Sequence, residues 1–206
     1  MQVKLQNISK TFQSHSVFKN VNLDLPAGYR GVVLGGNGSG KSTFLKILST
    51  ALVPSAGTIS YLQNNILVDE TARYKHVSFC APYIDLIEDF SLIEHLQFQL
   101  KFRPFLADVT PTQLVERLQL QRFKDRPLKT YSSGMRQRVR LILAIAAKTD
   151  LLLLDEPTSN LDPKGKAWYK DLLLEYAGNR SIIVGSNFLE DEFFFVKNTI
   201  ELKDFQ

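Results

Sequence analysis

A length of 206 residues fits one α/β domain and gives the chain enough sequence to bury a substantial core. Charged residues are 22% and apolar ones 44%, ordinary for a globular protein, and the net charge of +4 is dispersed, which argues against a nucleic-acid-binding stripe. No run approaches the ~20 apolar residues needed to cross a bilayer, Met1 to Leu5 lacks the apolar core of a signal peptide, and the single cysteine, Cys80, allows no internal disulfide and suits the cytosol.

Val3 to Ile8 reads as an opening strand, and Val17 to Leu25 as a second, alternating at Val21, Leu23 and Leu25. Pro26-Ala27-Gly28 is a turn before the short apolar run Gly31 to Leu34, which suits a buried strand. Ser42 to Leu52 carries Phe44, Leu45, Ile47, Leu48 and Leu52 at helical spacing, with Pro54 and Gly57 as the stop. Short strands are expected at Thr58 to Tyr61 and Ile66 to Val68 around the turn Asn64-Asn65, and a further one at Arg73 to Phe79. From Ser91 to Lys148 the pattern turns helical, as in an inserted subdomain. Leu151 to Leu154 is a buried strand, Pro163 opens a helix capped by Asp162, and Ser181 to Val184 is a last buried strand. Phe193-Phe194-Phe195 and the tail to Gln206 are expected to cover the sheet, with no regulatory domain after them. His15, His76 and His95 show no metal-ligand spacing, and Cys80 is expected to pack as a small apolar residue.

Gly35-Gly36-Asn37-Gly38-Ser39-Gly40-Lys41-Ser42 is a complete G-x-x-x-x-G-K-[ST] loop, followed by Thr43. Its glycines let successive N–H groups turn inward onto a triphosphate, Lys41 can reach the β and γ phosphates, and the Ser42 hydroxyl can hold magnesium. Placed between strand and helix, the phosphates would meet the free N–H groups and dipole of a helix N-terminus. The bland alternative is a glycine-rich turn that binds nothing. Far downstream come Tyr131-Ser132-Ser133-Gly134-Met135-Arg136-Gln137-Arg138, then Leu151 to Leu154 ending in Asp155-Glu156-Pro157, then Ser159-Asn160-Leu161-Asp162. Alone, the acidic pair could be a solvent-facing strand end. Beside a phosphate loop, Asp155 can hold magnesium through a water and orient Ser42, and Glu156 can polarise an attacking water.

This order of motifs resembles the ATP-binding-cassette (ABC) ATPase family, with its signature segment, Walker B strand and D-loop, over nearly the whole chain from Phe12 to about Phe188. The resemblance implies an α/β fold of the P-loop NTPase kind. It would have a parallel-rich core sheet flanked by helices, an N-terminal antiparallel β subdomain and an inserted α-helical subdomain. The expected division is a single domain over 1–206, with a core at about 1–80 and 149–206 and the inserted subdomain at about 83–148. The implied activity is ATP binding and hydrolysis, with ATP and Mg2+, coupled to transport. The implied partners are a second ATPase subunit, in a homodimer or heterodimer, and an integral membrane transporter subunit; the chain would lie in the cytoplasm, peripheral on the membrane's cytoplasmic face. Ser132 and Gly134 survive in the signature segment and would grip the γ-phosphate of ATP on the opposite subunit. The segment S-S-G-M followed by basic-Gln-Arg is similar to cassettes of exporter-like bacterial systems; an N-capped amphipathic helix with solvated arginines is the plainer reading.

In the family an aromatic ring upstream of the loop stacks on adenine. Phe12 holds that place, with Val17 able to cover the sugar or base edge; packing within the small sheet is the alternative for Phe12. Two expected residues differ. Pro82 stands where a glutamine usually approaches magnesium and water, and Asn187 stands at the switch histidine, where its amide can donate to a γ-phosphate but cannot carry a proton at neutral pH. Slow but real turnover is expected, with Lys41, Glu156 and Asn187 as catalytic residues. In the family, Ala81 to Phe90 joins core to helical subdomain and touches the membrane subunit; the cluster Tyr83, Ile84, Leu86 and Ile87 suits such a contact or simple packing. The alternatives are a soluble, non-transport ABC ATPase acting on nucleic acid or ribosomes, and a regulatory module that hardly turns over. A GTPase is disfavoured because no N-K-x-D motif occurs.

Overall fold

The computed structural model describes residues 1–107 and 109–205; the expected helical block and tail each contain one residue outside them, Asp108 and Gln206. Packing of the backbone divides the chain into two compact units. The first comprises Met1–Phe79, Thr149–Glu156 and Asn179–Gln206, and the second Cys80–Lys148 and Pro157–Gly178. The second unit thus holds the segment after Glu156 as well as the helical block.

In the first unit, β1 (Gln2–Phe12) and β2 (His15–Leu25) pair antiparallel, and β4 (Ala56–Gln63) pairs antiparallel with both β1 and the two-residue β5 (Ile66–Leu67). Asn64 and Asn65 both adopt positive φ, as a tight hairpin turn requires, and asparagine tolerates it. A second sheet runs β6 (Val77–Cys80), β7 (Leu151–Asp155), β8 (Ser181–Ser186), β3 (Arg30–Leu34) and β9 (Asn198–Glu201), with β7 and β3 parallel to β8 and β9 parallel to β3. Every residue of β7 and β8 is buried, which is why both read as unbroken apolar runs. Helix α1 (Lys41–Leu48) inserts Phe44, Leu45, Ile47 and Leu48 into a core shared with Val3, Ile8, Phe18, Val21, Leu153 and Ile183. The Phe18 and Phe44 rings meet edge to face at 5.9 Å, so the antiparallel sheet braces the helix that follows the glycine loop.

In the second unit, α2 (Leu92–Phe102) and α3 (Pro111–Leu118) open on reciprocal caps, Ser91 with Glu94 and Thr110 with Gln113. Helix α4 (Ser133–Ile145) buries Val139 and Leu141 through Ile145, and α5 (Pro163–Tyr176) starts where Asp162 Oδ1 accepts from Gly165 N at 2.7 Å. No helix among the described residues is long and apolar enough to cross a membrane.

Three sequence expectations need correction. The strand expected over Arg73 to Phe79 begins only at Val77; Asp69 caps a 3-10 helix over Glu70–Lys75 through Thr71 N, and that local side-chain bond wins over β propensity. Helix α1 stops at Leu48, short of Leu52, because Thr50 turns left-handed at φ 68°. After the short α6 (Glu190–Phe193), the tail does not simply cover the sheet: β9 extends it at the edge beside β3.

Candidate functional site

The loop 35–40 leaves the carboxyl end of β3 and closes on α1. Gly40, the N-cap of α1, has φ 96°, and a Cβ there would lie 2.6 Å from Val17 Cγ1. Gly38 also has positive φ, at 80°. Ser39 N donates to Gly36 O at 3.3 Å and Phe44 N to Gly40 O at 2.8 Å, fixing the loop to the first helical turn, where Ser42 and Thr43 are half-buried. No acidic side chain occupies that first turn, so its N–H groups keep their anion-attracting field.

Lys41 is only 4% exposed. Its Nζ donates to Gly35 O at 2.7 Å, Gly36 O at 2.9 Å and Asn187 Oδ1 at 2.6 Å, which uses all three of its N–H bonds. Burial pushes the Lys41 pKa down, while the carboxylates of Glu156, Asp155 and Glu192 pull it back up. Because an ammonium only donates, the Asn187 atom facing it must be the oxygen. The Asn187 Nδ2 then donates to Glu156 Oε1 at 2.8 Å and to Asn37 Oδ1 at 2.9 Å. A single amide therefore ties the loop tip, the lysine and the strand-end carboxylate together. Its hydrogens point at Asn37 and Glu156, the two groups a γ-phosphate donor would have to release.

Glu156 follows β7 in a left-handed conformation, φ 43°, and donates its N–H to Gly185 O at 2.9 Å. That backbone turn swings its side chain off the strand direction toward Asn187. Asp155 is buried at the end of β7, and a Cβ on Gly185 would come 2.8 Å from Asp155 Oδ1, so the glycine leaves a cradle beside the carboxylate. The Asp155 carboxylate and Ser42 hydroxyl are hard oxygen donors on elements that pack together, α1 against β7, and they suit magnesium, which takes few protein ligands and completes its shell with water and phosphate oxygens. No cluster of three or more His, Cys, Asp or Glu ligands occurs among the described residues.

Phe12 ends β1 with half its surface exposed, and Lys10 Nζ stands 4.8 Å over its ring. Val17 packs against Gly40, which brings β2 to the loop. Pro82 occupies a turn closed by Ile84 N donating to Ala81 O at 3.1 Å, and contributes no polar side chain. In the second unit, Ser132 caps α4 by accepting from Met135 N at 3.2 Å, and Gly134 lies against Asn160 O. These two residues border a shallow hollow of about 330 Å³ lined also by Met135, Arg138, Leu161 and Asp162. The sequence reading missed Gln137, fully buried on α4, whose flanking Arg136 and Arg138 make it look solvated. It also missed Glu192, buried beside the Lys41 field; nothing in its local sequence marks it.

Fold and loop together define an α/β protein built round a phosphate-loop motif at a helix N-terminus. The chain belongs to the ABC transporter family, whose profile matches residues 18–159. It is 30% identical over 190 residues to the ABC transporter ATP-binding protein YybJ of Bacillus subtilis (strain 168), itself uncharacterized, covering 92% of this chain and 87% of that one. It is 29% identical to the daunorubicin/doxorubicin resistance ATP-binding protein DrrA of Streptomyces peucetius, over 83% of this chain and 53% of that protein; it thus spans about half the length of that relative. Among solved structures, a dimeric ATP-binding cassette in a post-hydrolysis state bound to ADP and Pi superposes with a TM-score of 0.82 at 26% identity, over 98% of this chain and 94% of that one.

Proposed function

We infer that this chain is the ATP-binding and ATP-hydrolysing subunit of an ABC membrane transporter, closing with a second ATPase subunit on ATP and driving a separate membrane subunit from the cytoplasmic face. The observation that carries this reading is the convergence of Lys41, Asn187 and Glu156 beside an intact G-x-x-x-x-G-K-S loop. The main-chain amides of 35–40 and the start of α1 receive the β and γ phosphates, and Lys41 neutralises their charge. Ser42 and Asp155 would hold Mg2+, which when bound would supply charge neutralisation. Glu156 orients the attacking water.

Arrival of a γ-phosphate requires Lys41 to exchange at least one of its three present acceptors, and Asn187 is the mobile one because the other two are backbone. Pro82 lacks the side-chain amide that a glutamine has at this place in the family's pattern, and slow turnover is the expected consequence. Phe12 presents to adenine the ring face that Lys10 leaves uncovered, and Val17 flanks the sugar. The Ser132 hydroxyl accepts from Met135 N and keeps its own proton to donate, with Gly134 beside it, to ATP held by the second subunit. The amide that already satisfies both Lys41 and Glu156 gives some support to a second reading, a regulatory module that binds ATP and hardly turns over.

Phosphate release from Mg-ATP, compared between wild type and Glu156→Gln, tests the reading: a measurable wild-type rate falling at least ~100-fold supports it. Equal rates reject Glu156 as the catalytic residue, and ATP-dependent dimers without phosphate release favour the regulatory reading.

A further inference from the structure

Gln137 is the most deeply buried polar side chain of α4, with no solvent exposure. Its Nε2 donates to the carbonyl of Pro157 at 3.0 Å. Its Oε1 is buried too and has no hydrogen-bond partner among the described residues. A buried amide left half satisfied costs stability, and an apolar side chain of the same length would remove that cost only by leaving the buried Pro157 carbonyl without its donor. The amide therefore has to be explained by what it holds rather than by packing.

What it holds is the residue peptide-bonded to Glu156. Pro157 has no N–H, so its carbonyl is the only polar backbone group through which the chain can be fixed as it leaves the strand. Two further contacts join α4 to the same segment. Gly134 lies so close to the Asn160 carbonyl that a Cβ would stand at 3.0 Å, and the Arg138 guanidinium stacks 4.6 Å over the Trp168 ring, two residues of α4 reaching the segment's far end and the helix after it. Between these points the segment closes on itself through Leu161 N to Thr158 O, 3.1 Å, and Asp162 to Gly165 N. Of the three, only Gln137 grips next to the carboxylate.

We propose that Gln137 is a positioning residue, which holds the Pro157 carbonyl and, through the peptide bond before it, the backbone setting of Glu156. The consequence for turnover rests on the hydrolytic role of Glu156 argued above; the tie itself does not. The segment is held at a left-handed residue, Glu156 at φ 43°, a conformation that persists only while its surroundings enforce it.

The test is Gln137→Met in the full chain, which keeps the length of the side chain and removes both its donor and its unsatisfied oxygen. Hydrogen exchange of the Glu156 and Leu161 amides is read together with Tm, ATP affinity and phosphate release. The proposal expects Tm near wild type, because the unsatisfied oxygen removed offsets the Pro157 carbonyl left without its donor, unchanged ATP affinity, at least fivefold faster exchange at those two amides, and kcat lowered about tenfold. Unchanged exchange at Glu156 and Leu161 overturns it. So does a fall of Tm, affinity and kcat together, which marks a residue that only supports the fold; Gln137→Leu, with the same loss of polarity in a different shape, guards against a packing artefact of methionine. Faster exchange in a chain whose wild type releases no phosphate supports the tie and sinks the hydrolytic reading instead, so the two failures separate.

Discussion

Replacing Asn187 by alanine removes three hydrogen bonds at once. Two of them engage charged groups, to Lys41 Nζ at 2.6 Å and Glu156 Oε1 at 2.8 Å, and the third reaches Asn37 at 2.9 Å near solvent. Bonds to charged partners contribute roughly 1.5–3 kcal/mol each when water cannot substitute. Here water can enter the space the amide leaves, and Lys41 keeps its two carbonyl acceptors, so each bond counts below that range. The loss should be about 2–3 kcal/mol for the three bonds together. For a chain of this size that corresponds to a drop in Tm of roughly 5–10 °C by calorimetry. Turnover should fall as well, by about 10–100-fold, because Glu156 loses the donor that orients it. ATP affinity should change little or rise, since the phosphate no longer competes with an amide for the ammonium. A variant with wild-type Tm and wild-type kcat would refute the reasoning, because it would mean that the bridge is made in the structure yet carries neither stability nor geometry.

Gly40→Ala should lower stability by about 1–3 kcal/mol through the strained φ of 96° and the approach to Val17 Cγ1, and the double variant with Val17→Ala should recover the steric part only. A thermal-melt double-mutant cycle with strictly additive losses would contradict that contact. Burial pushes the His95 pKa below its ordinary value, and its Nε2 accepts from Ile87 N at 3.3 Å. The folded state then binds fewer protons than the unfolded one near and below pH 6.5, so stability should fall as pH drops through that value. His95→Gln, which accepts the same bond without titrating, should flatten this part of the Tm–pH curve. An identical slope in both proteins would remove His95 as the cause.

Much of this arrangement was legible because the chemistry is local. The loop from Gly35 to Ser42 is contiguous, and Leu151 to Asp155 announces a buried strand by composition alone. Asp162 and Pro163 mark a helix start by side-chain capping, and the structure has the cap at 2.7 Å. What stayed hidden depends on contacts between distant residues. That the Asn187 amide faces Lys41 with its oxygen and Glu156 with its nitrogen follows from where β8 ends beside β3 and β7, which no neighbouring residue encodes. Gln137 sits between two arginines, and only the buried phase of α4 reveals that it points inward. The tail misled for a similar reason: Asn198 to Glu201 is polar and short, so its pairing with β3 leaves almost no pattern in sequence.

The central claim is that the loop around Lys41 holds the phosphates of ATP. Isothermal titration of the folded chain with Mg-ATP tests it most directly, run alongside Lys41→Ala. The account predicts a saturable heat in the wild type that the variant loses or weakens at least ~30-fold, the loss of one buried charge-assisted contact. A flat wild-type titration, or equal binding by both proteins, would contradict it.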